Sequence, residues 1–136
     1  MITTSFLHIG VTCKYPQKFE DFYKKYFGFK RVKSIRLEGE KEIVFIKDEN
    51  GFCFELFSMD EERPFPHAGG DGCHYPGWRH IAFNVNSIND KLCEMGEDAI
   101  ITQGPILLDR YIPGWKAVWI KDPEGNIIEL AEGYKD

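Results

Sequence analysis

Apolar residues recur along the chain with two different periods, and those periods divide it into short elements. Phe19, Phe22, Tyr23, Tyr26 and Phe27 fall at i, i+3, i+4, i+7 and i+8, which is one face of a helix. Pro16 suits an early helical position and Gly28 supplies the stop. A second helix is predicted after Ser87, a candidate N-cap with Asp90 three residues on. Ile88, Leu92 and Met95 line its face, and Gly96 ends it. The remaining apolar runs read as strands at roughly 5–12, 31–38, 42–47 and 52–58, then 78–85, 99–103, 115–120 and 126–132, with a further candidate at 107–112. The turns DENG at 48–51 and DPEG at 122–125 carry the Asp, Asn, Pro and Gly that a hairpin requires.

The pattern is written twice. Residues 46–56, IKDENGFCFEL, and 120–130, IKDPEGNIIEL, share six of eleven positions at an offset of 74. Upstream, HIGV at 8–11 resembles HIAFNV at 80–85, with His8 over His80 at an offset of 72. Each half therefore reads β-α-β-β-β, and a repeat of this length marks a duplicated structural unit. The fold class predicted is α+β: two tandem βαβββ modules, about 4–60 and 77–133, forming a curved mixed sheet around a metal-binding cavity. The stretch between them, MDEERPFPHAGGDGCHYPG at 59–77, is rich in Gly, Pro and charge and reads as a linker, a lid, or both.

Composition narrows the function. The 136 residues carry 17 Lys plus Arg against 22 Asp plus Glu, a net charge of −5, which argues against a nucleic-acid partner. No run of about 18 apolar residues is present, so no membrane span is expected. The first residues read as a strand and not as a signal peptide, and a cytoplasmic protein is the expectation. None of Cys13, Cys53, Cys73 and Cys93 forms a CxxC pair, and free thiols are expected.

The repeat puts chemistry at matching places. Each half has a His at the start of its first strand and a Glu within its last: His8 and Glu55, His80 and Glu129. Strand alternation gives them one orientation. Leu7, Ile9 and Val11 oppose His8; Phe54 and Leu56 oppose Glu55; Ile81, Phe83 and Val85 oppose His80; Ile128 and Leu130 oppose Glu129. The aliphatic set is expected under the helix and the polar set on the other face. Two imidazoles and two carboxylates, with no thiolate, suit Ni, Co, Mn, Fe(II) or Zn in a five- or six-coordinate site. A Glu ligand that detaches can also act as general base. His67 and His74 read as solvated loop histidines, and Arg36, Arg79 and Arg110 as candidates for an anionic substrate group with no convergence.

LHIGV, FYKKYFGF, RHIAFNV and DPEGNIIELAE, in that order and with the His8, Glu55, His80, Glu129 set, resemble the vicinal oxygen chelate superfamily. That group includes glyoxalase I, methylmalonyl-CoA epimerase, extradiol dioxygenases and fosfomycin-resistance proteins. The likeness spans nearly the whole chain. The four-ligand set is similar to glyoxalase I, whereas the epimerase usually has Gln at the place of Glu55. Dioxygenases and fosfomycin-resistance enzymes typically use two His and one Glu, a set that His8, His80 and Glu129 would satisfy. Glutathione binding in glyoxalase I uses an Arg four residues after the first His and an Asn four after the first Glu. Thr12 and Met59 stand there, which argues against glutathione as the thiol.

The resemblance implies a metal-dependent isomerase or lyase of the glyoxalase type. It would act on a small oxygenated substrate by proton transfer through a metal-stabilised ene-diolate. Glu129 is the permanent ligand in this reading and Glu55 the displaceable base. The alternatives are an Fe(II) dioxygenase or thiol transferase of the same superfamily, or a non-catalytic ligand-binding protein. A homodimer is expected, as often in this family.

Overall fold

The two hairpin turns show directly how the repeated sequence becomes repeated structure. They are seen in a computed structural model that describes residues 1–136. In the first turn Asp48 Oδ1 accepts the backbone N–H of Asn50 at 3.0 Å and of Phe52 at 2.8 Å. In the second, Asp122 Oδ1 accepts those of Glu124 at 2.9 Å and Asn126 at 3.0 Å. An Asp side chain folded back on the next amides is a turn-forming device in its own right. Gly51 and Gly125 follow it at φ of 87° and 81°, where a residue with a Cβ is strained.

Each turn closes a βαβββ module. The first contains β1 (Ile9–Cys13), α1 (Pro16–Phe27), β2 (Lys30–Arg36), β3 (Glu42–Lys47) and β4 (Cys53–Ser58). The second contains β5 (Ile81–Asn84), α2 (Ile88–Met95), β6 (Ile100–Leu107), β7 (Lys116–Lys121) and β8 (Ile127–Glu132). The strand orders are β1-β4-β3-β2 and β5-β8-β7-β6. Within each sheet the outer strand β1 or β5 runs parallel to β4 or β8, and the other pairings are antiparallel. The architecture is thus α+β, with two four-stranded mixed sheets. The chain divides into two compact units, Met1–Pro64 and Phe65–Asp136.

In the first unit the aromatic face of α1 covers the sheet. Pro16 occupies its first turn, and Gly28, at φ 70°, ends it with its N–H on the Tyr23 carbonyl. Phe19 meets Phe54 edge-on at 5.2 Å, and Tyr23 meets Phe54 at 4.9 Å. Phe54 and Leu56 are almost fully buried. Strand alternation then turns Glu55 to the opposite face. Glu20, otherwise a cost in this buried stripe, is held by Arg31, whose Nε and Nη2 lie 2.8 and 2.5 Å from its two oxygens.

The second unit repeats the logic with aliphatic residues. Ser87 Oγ accepts the Asp90 N–H at 3.2 Å, the expected cap of α2. Ile88 and Met95 are buried, as are Val118, Ile120, Ile128 and Leu130. Leu92, on the same helical face, is half-buried.

Several boundaries differ from the sequence reading, among them the end of β2 at Arg36 rather than 38. Strand β1 begins at Ile9 rather than near residue 5, because Ile9 pairs with Phe54 and β4 starts one residue earlier at Cys53. A longer β1 would run past the end of its partner, and Phe6 and Leu7 are exposed. Strand β5 is shortened to Ile81 in the same way, since Ile81 pairs with Ile128 and β8 starts at Ile127. Residues 107–112 are not a strand of their own. Strand β6 runs through a register shift to Leu107, and Asp109 Oδ1 then takes the Gly114 N–H at 2.7 Å in a tight turn.

Candidate metal centre

Each candidate histidine stands at the residue just before the parallel strand pair begins. His8 precedes β1 and His80 precedes β5. The glutamates lie inside the neighbouring strands, Glu55 opposite Gly10 and Glu129 opposite Ala82. A small residue therefore flanks each carboxylate on its outer side. A Cβ added at Gly10 would come within 3.9 Å of Glu55 Oε1.

The structure brings the four predicted ligands together as two pairs, one in each compact unit. His8 Nε2 lies 3.5 Å from Glu55 Oε1, and His80 Nε2 lies 2.8 Å from Glu129 Oε2. No group of three or more His, Cys, Asp and Glu side chains is arranged to hold a metal ion. The pair distances nevertheless suit adjacent ligands on one ion. Two donors about 2.1 Å from a metal are about 3.0 Å apart at a right angle and about 3.4 Å apart at the tetrahedral angle. Nitrogen and oxygen donors of this kind fit a borderline divalent cation.

The pairs are not equally confined. Glu129 keeps 10% of its side-chain exposure and Glu55 keeps 20%. The difference makes Glu55 the carboxylate with more room to move. An aromatic wall stands behind each pair. Phe45 is opposite Glu55 and meets the His8 ring edge-on at 5.9 Å. Trp119 is opposite Glu129 and meets the His80 ring at 6.4 Å. Sequence reasoning missed these two aromatics, although they obey the same 74-residue offset as the glutamates.

Sequence reasoning also missed Asp71. Its side chain is only 4% exposed, and its Oδ1 lies 2.7 Å from His80 Nδ1. Arg79 grips the same carboxylate, through Nε on Oδ1 at 3.3 Å and through Nη2 on Oδ2. Burial alone would raise the Asp71 carboxyl. The hydrogen bonds and charges of His80 and Arg79 outweigh that and hold it below the usual carboxylate range. The aspartate in turn pushes the Arg79 guanidinium further up.

The other candidates fall outside the pairs. Arg79 is engaged by Asp71, Arg36 is exposed on β2, and Arg110 lies over the Tyr111 ring at 4.5 Å. His74 is exposed beside Gly72. His67, also exposed, lies against the second hairpin turn, where a Cβ on Gly125 would come within 3.2 Å of its ring. Cys53 shares the Glu55 side of β4, but burial pushes its thiol up and so disfavours the nucleophilic thiolate. No helix is long and apolar enough to cross a membrane.

Residues 5–130 match the family model described as Glyoxalase/Bleomycin resistance protein/Dioxygenase superfamily. The chain is 29% identical to the protein YwkD of Bacillus subtilis (strain 168) over 136 residues, covering 97% of this chain and 99% of that one. It is 28% identical to Glyoxylase I 4 of Arabidopsis thaliana, covering 93% of this chain and 70% of the relative. Among solved structures it is similar to the fosfomycin resistance protein FosX of Listeria monocytogenes, complexed with Mn(II) and sulfate. The TM-score is 0.66 at 14% identity, with 98% of this chain and 95% of that chain covered, a likeness of fold. Two βαβββ modules and a family match across nearly the whole length agree: the chain belongs to the Glyoxalase/Bleomycin resistance protein/Dioxygenase superfamily.

Proposed function

We propose that the protein is a metal-dependent isomerase or lyase of the glyoxalase type, with one divalent cation held by His8, Glu55, His80 and Glu129. The observation that carries this reading is the recurrence of one His–Glu pair in each module, at 3.5 and 2.8 Å, the spacing of neighbouring ligands. The relative named Glyoxylase I 4 and the Mn(II) in FosX lend support from the superfamily. A bound divalent cation supplies Lewis acidity that lowers the cost of negative charge on a substrate oxygen.

The chain's own residues supply the rest. Glu129, the more buried carboxylate, remains beside His80. Glu55, the more exposed one, takes the proton from the carbon next to a substrate carbonyl. The C–H electron pair passes toward the carbonyl oxygen, Glu55 returns the proton to the former carbonyl carbon, and the hydrogen of the adjacent hydroxyl passes to the first oxygen as that hydroxyl becomes the new carbonyl. Gly10 and Ala82 put no bulky side chain opposite the two carboxylates. Thr12 and Met59 replace the residues that would grip glutathione, so a different thiol or a thiol-free substrate is favoured. The same reading takes the protein as a cytoplasmic homodimer, since modules of about 60 residues bury little surface on their own.

The test is solvent-exchange NMR on the purified protein loaded in turn with Mn, Co, Ni or Zn. A panel of 2-oxoaldehyde–thiol adducts and 2-hydroxy carbonyl compounds is incubated in deuterium oxide. Deuterium should enter at the carbon next to the carbonyl, and a chelator should abolish it. Oxygen uptake that requires Fe(II) would instead establish the dioxygenase alternative. Ligand binding by metal-free protein that a chelator leaves unchanged would establish a binding module.

A further inference from the structure

We infer that Asp71 is the positioning residue that selects which nitrogen of His80 meets the metal. The inference rests on the metal-binding reading above and goes beyond it, because Asp71 stands behind His80 and outside the four proposed ligands.

A carboxylate that Arg79 holds through two N–H donors is in its charged form and can only accept hydrogen bonds. The third atom on it, His80 Nδ1 at 2.7 Å, must therefore carry the hydrogen. That fixes Nδ1 as the donor toward Asp71, so Nε2, which without a cation gives its own hydrogen to Glu129, is the nitrogen a cation would take by displacing that hydrogen. Nε2 is the nitrogen that faces Glu129 Oε2 at 2.8 Å. Metal-bound histidines commonly give their second N–H to a carboxylate in this way, which orients the ring and raises its basicity.

The linker runs beside β6 on its way to this contact. Asp71 lies within the run Gly69, Gly70, Asp71, Gly72. Gly70 passes beside β6, where a Cβ would make ordinary van der Waals contact with Thr102 Cβ at 3.5 Å. Thr102 is itself tied by its hydroxyl to the Trp119 carbonyl at 3.3 Å. The segment read from sequence as linker or lid is thus also a support for one ligand. His8 has no such support: its polar contact is the one with Glu55, at 3.5 Å, and Nδ1 has no protein partner. The second module holds the preorganised half of the ligand set, and the first module holds the adaptable half.

The experiment uses the full chain with Asp71→Asn, Asp71→Ala and His74→Ala. Metal affinity is measured by chelator competition with Zn²⁺. The coordinating nitrogen is read from ¹⁵N–¹¹³Cd couplings of ¹⁵N-histidine protein loaded with ¹¹³Cd²⁺. The wild type should couple through His80 Nε2 and show a slowly exchanging Nδ1–H. Asp71→Ala should bind 10- to 100-fold more weakly, with the slow proton lost and coupling spread over both nitrogens. Asp71→Asn, which keeps an acceptor, should keep Nε2 coupling and lose less affinity, and it serves if the alanine variant does not fold. His74→Ala should match the wild type. A linker that merely loosened would lower the melting temperature without altering the coupling nitrogen, and that result overturns the inference. Wild-type affinity with an intact slow proton in Asp71→Ala overturns it too. Failure of the wild type to bind Zn²⁺ or Cd²⁺ would instead remove the proposed metal site and the inference with it.

Discussion

The two glutamates are equivalent in sequence but not in surroundings, and replacing each by glutamine should separate their roles. Glutamine keeps a ligand oxygen and the side-chain volume but cannot accept a proton from carbon. Glu55 retains twice the side-chain exposure of Glu129, and its oxygen stands 0.7 Å farther from its histidine. If Glu55 is the base, Glu55→Gln should keep most of its metal and lose about 10²- to 10⁴-fold in kcat, the usual contribution of a positioned base. At about 1.36 kcal/mol per tenfold, that is about 2.7 to 5.4 kcal/mol of barrier. Glu129→Gln should behave differently. Its carboxylate is nearly enclosed, and the neutral amide weakens the tighter pair, so metal occupancy should fall first and activity should return with excess metal. The assay combines metal analysis of dialysed protein with deuterium wash-in at saturating metal. The reasoning is refuted if Glu55→Gln loses its metal while Glu129→Gln retains it, or if both variants keep full turnover at saturating metal.

Other consequences can be checked independently. Phe54→Ala removes a ring with no exposed surface that touches Phe19, Tyr23 and Phe29, and should cost about 3 to 5 kcal/mol in urea unfolding. Glu132 accepts the Ile88 N–H at 2.9 Å and pairs with Lys116, contacts that hold its carboxyl below the usual value of 4.5. A lowered carboxylate stabilises the fold above its unfolded-state value and loses that contribution as pH falls through the folded one. Wild-type stability should therefore fall more than that of Glu132→Gln as pH drops below about 4.5. Equal slopes in acid denaturation would contradict this. Light scattering should give twice the 15.8 kDa chain mass, and a monomer would contradict the expected dimer.

Much of this was legible in the sequence because local chemistry fixed it. Pro16, Gly28, Ser87 and Gly96 sit where the helices begin and end, and Asp48 and Asp122 build the two turns they predict. Strand alternation placed each His and Glu on the face away from its helix, and the pair contacts agree. Phe45 and Trp119 escaped although they share the 74-residue offset of the glutamates; the rest of what escaped had no local or repeated signal. The start of β1 depends on where its distant partner β4 begins, and alternation within residues 5–12 carries no such information. Asp71 lies in a glycine-rich run that reads as a linker and falls outside the repeat. Its meaning comes from the fold, which carries that run back across β6 to His80. Arg79 looked available for an anionic substrate for the same reason, since its partner was invisible.

Metal stoichiometry in the single variants His8→Ala and His80→Ala tests the central claim most directly. The two histidines belong to different modules, and the account gives them one shared ion. Elemental analysis of dialysed wild type should find one divalent ion per chain, and each variant should lose most of it. Full occupancy in either variant, or two ions per wild-type chain with one lost in each variant, would contradict a single site held by His8, Glu55, His80 and Glu129.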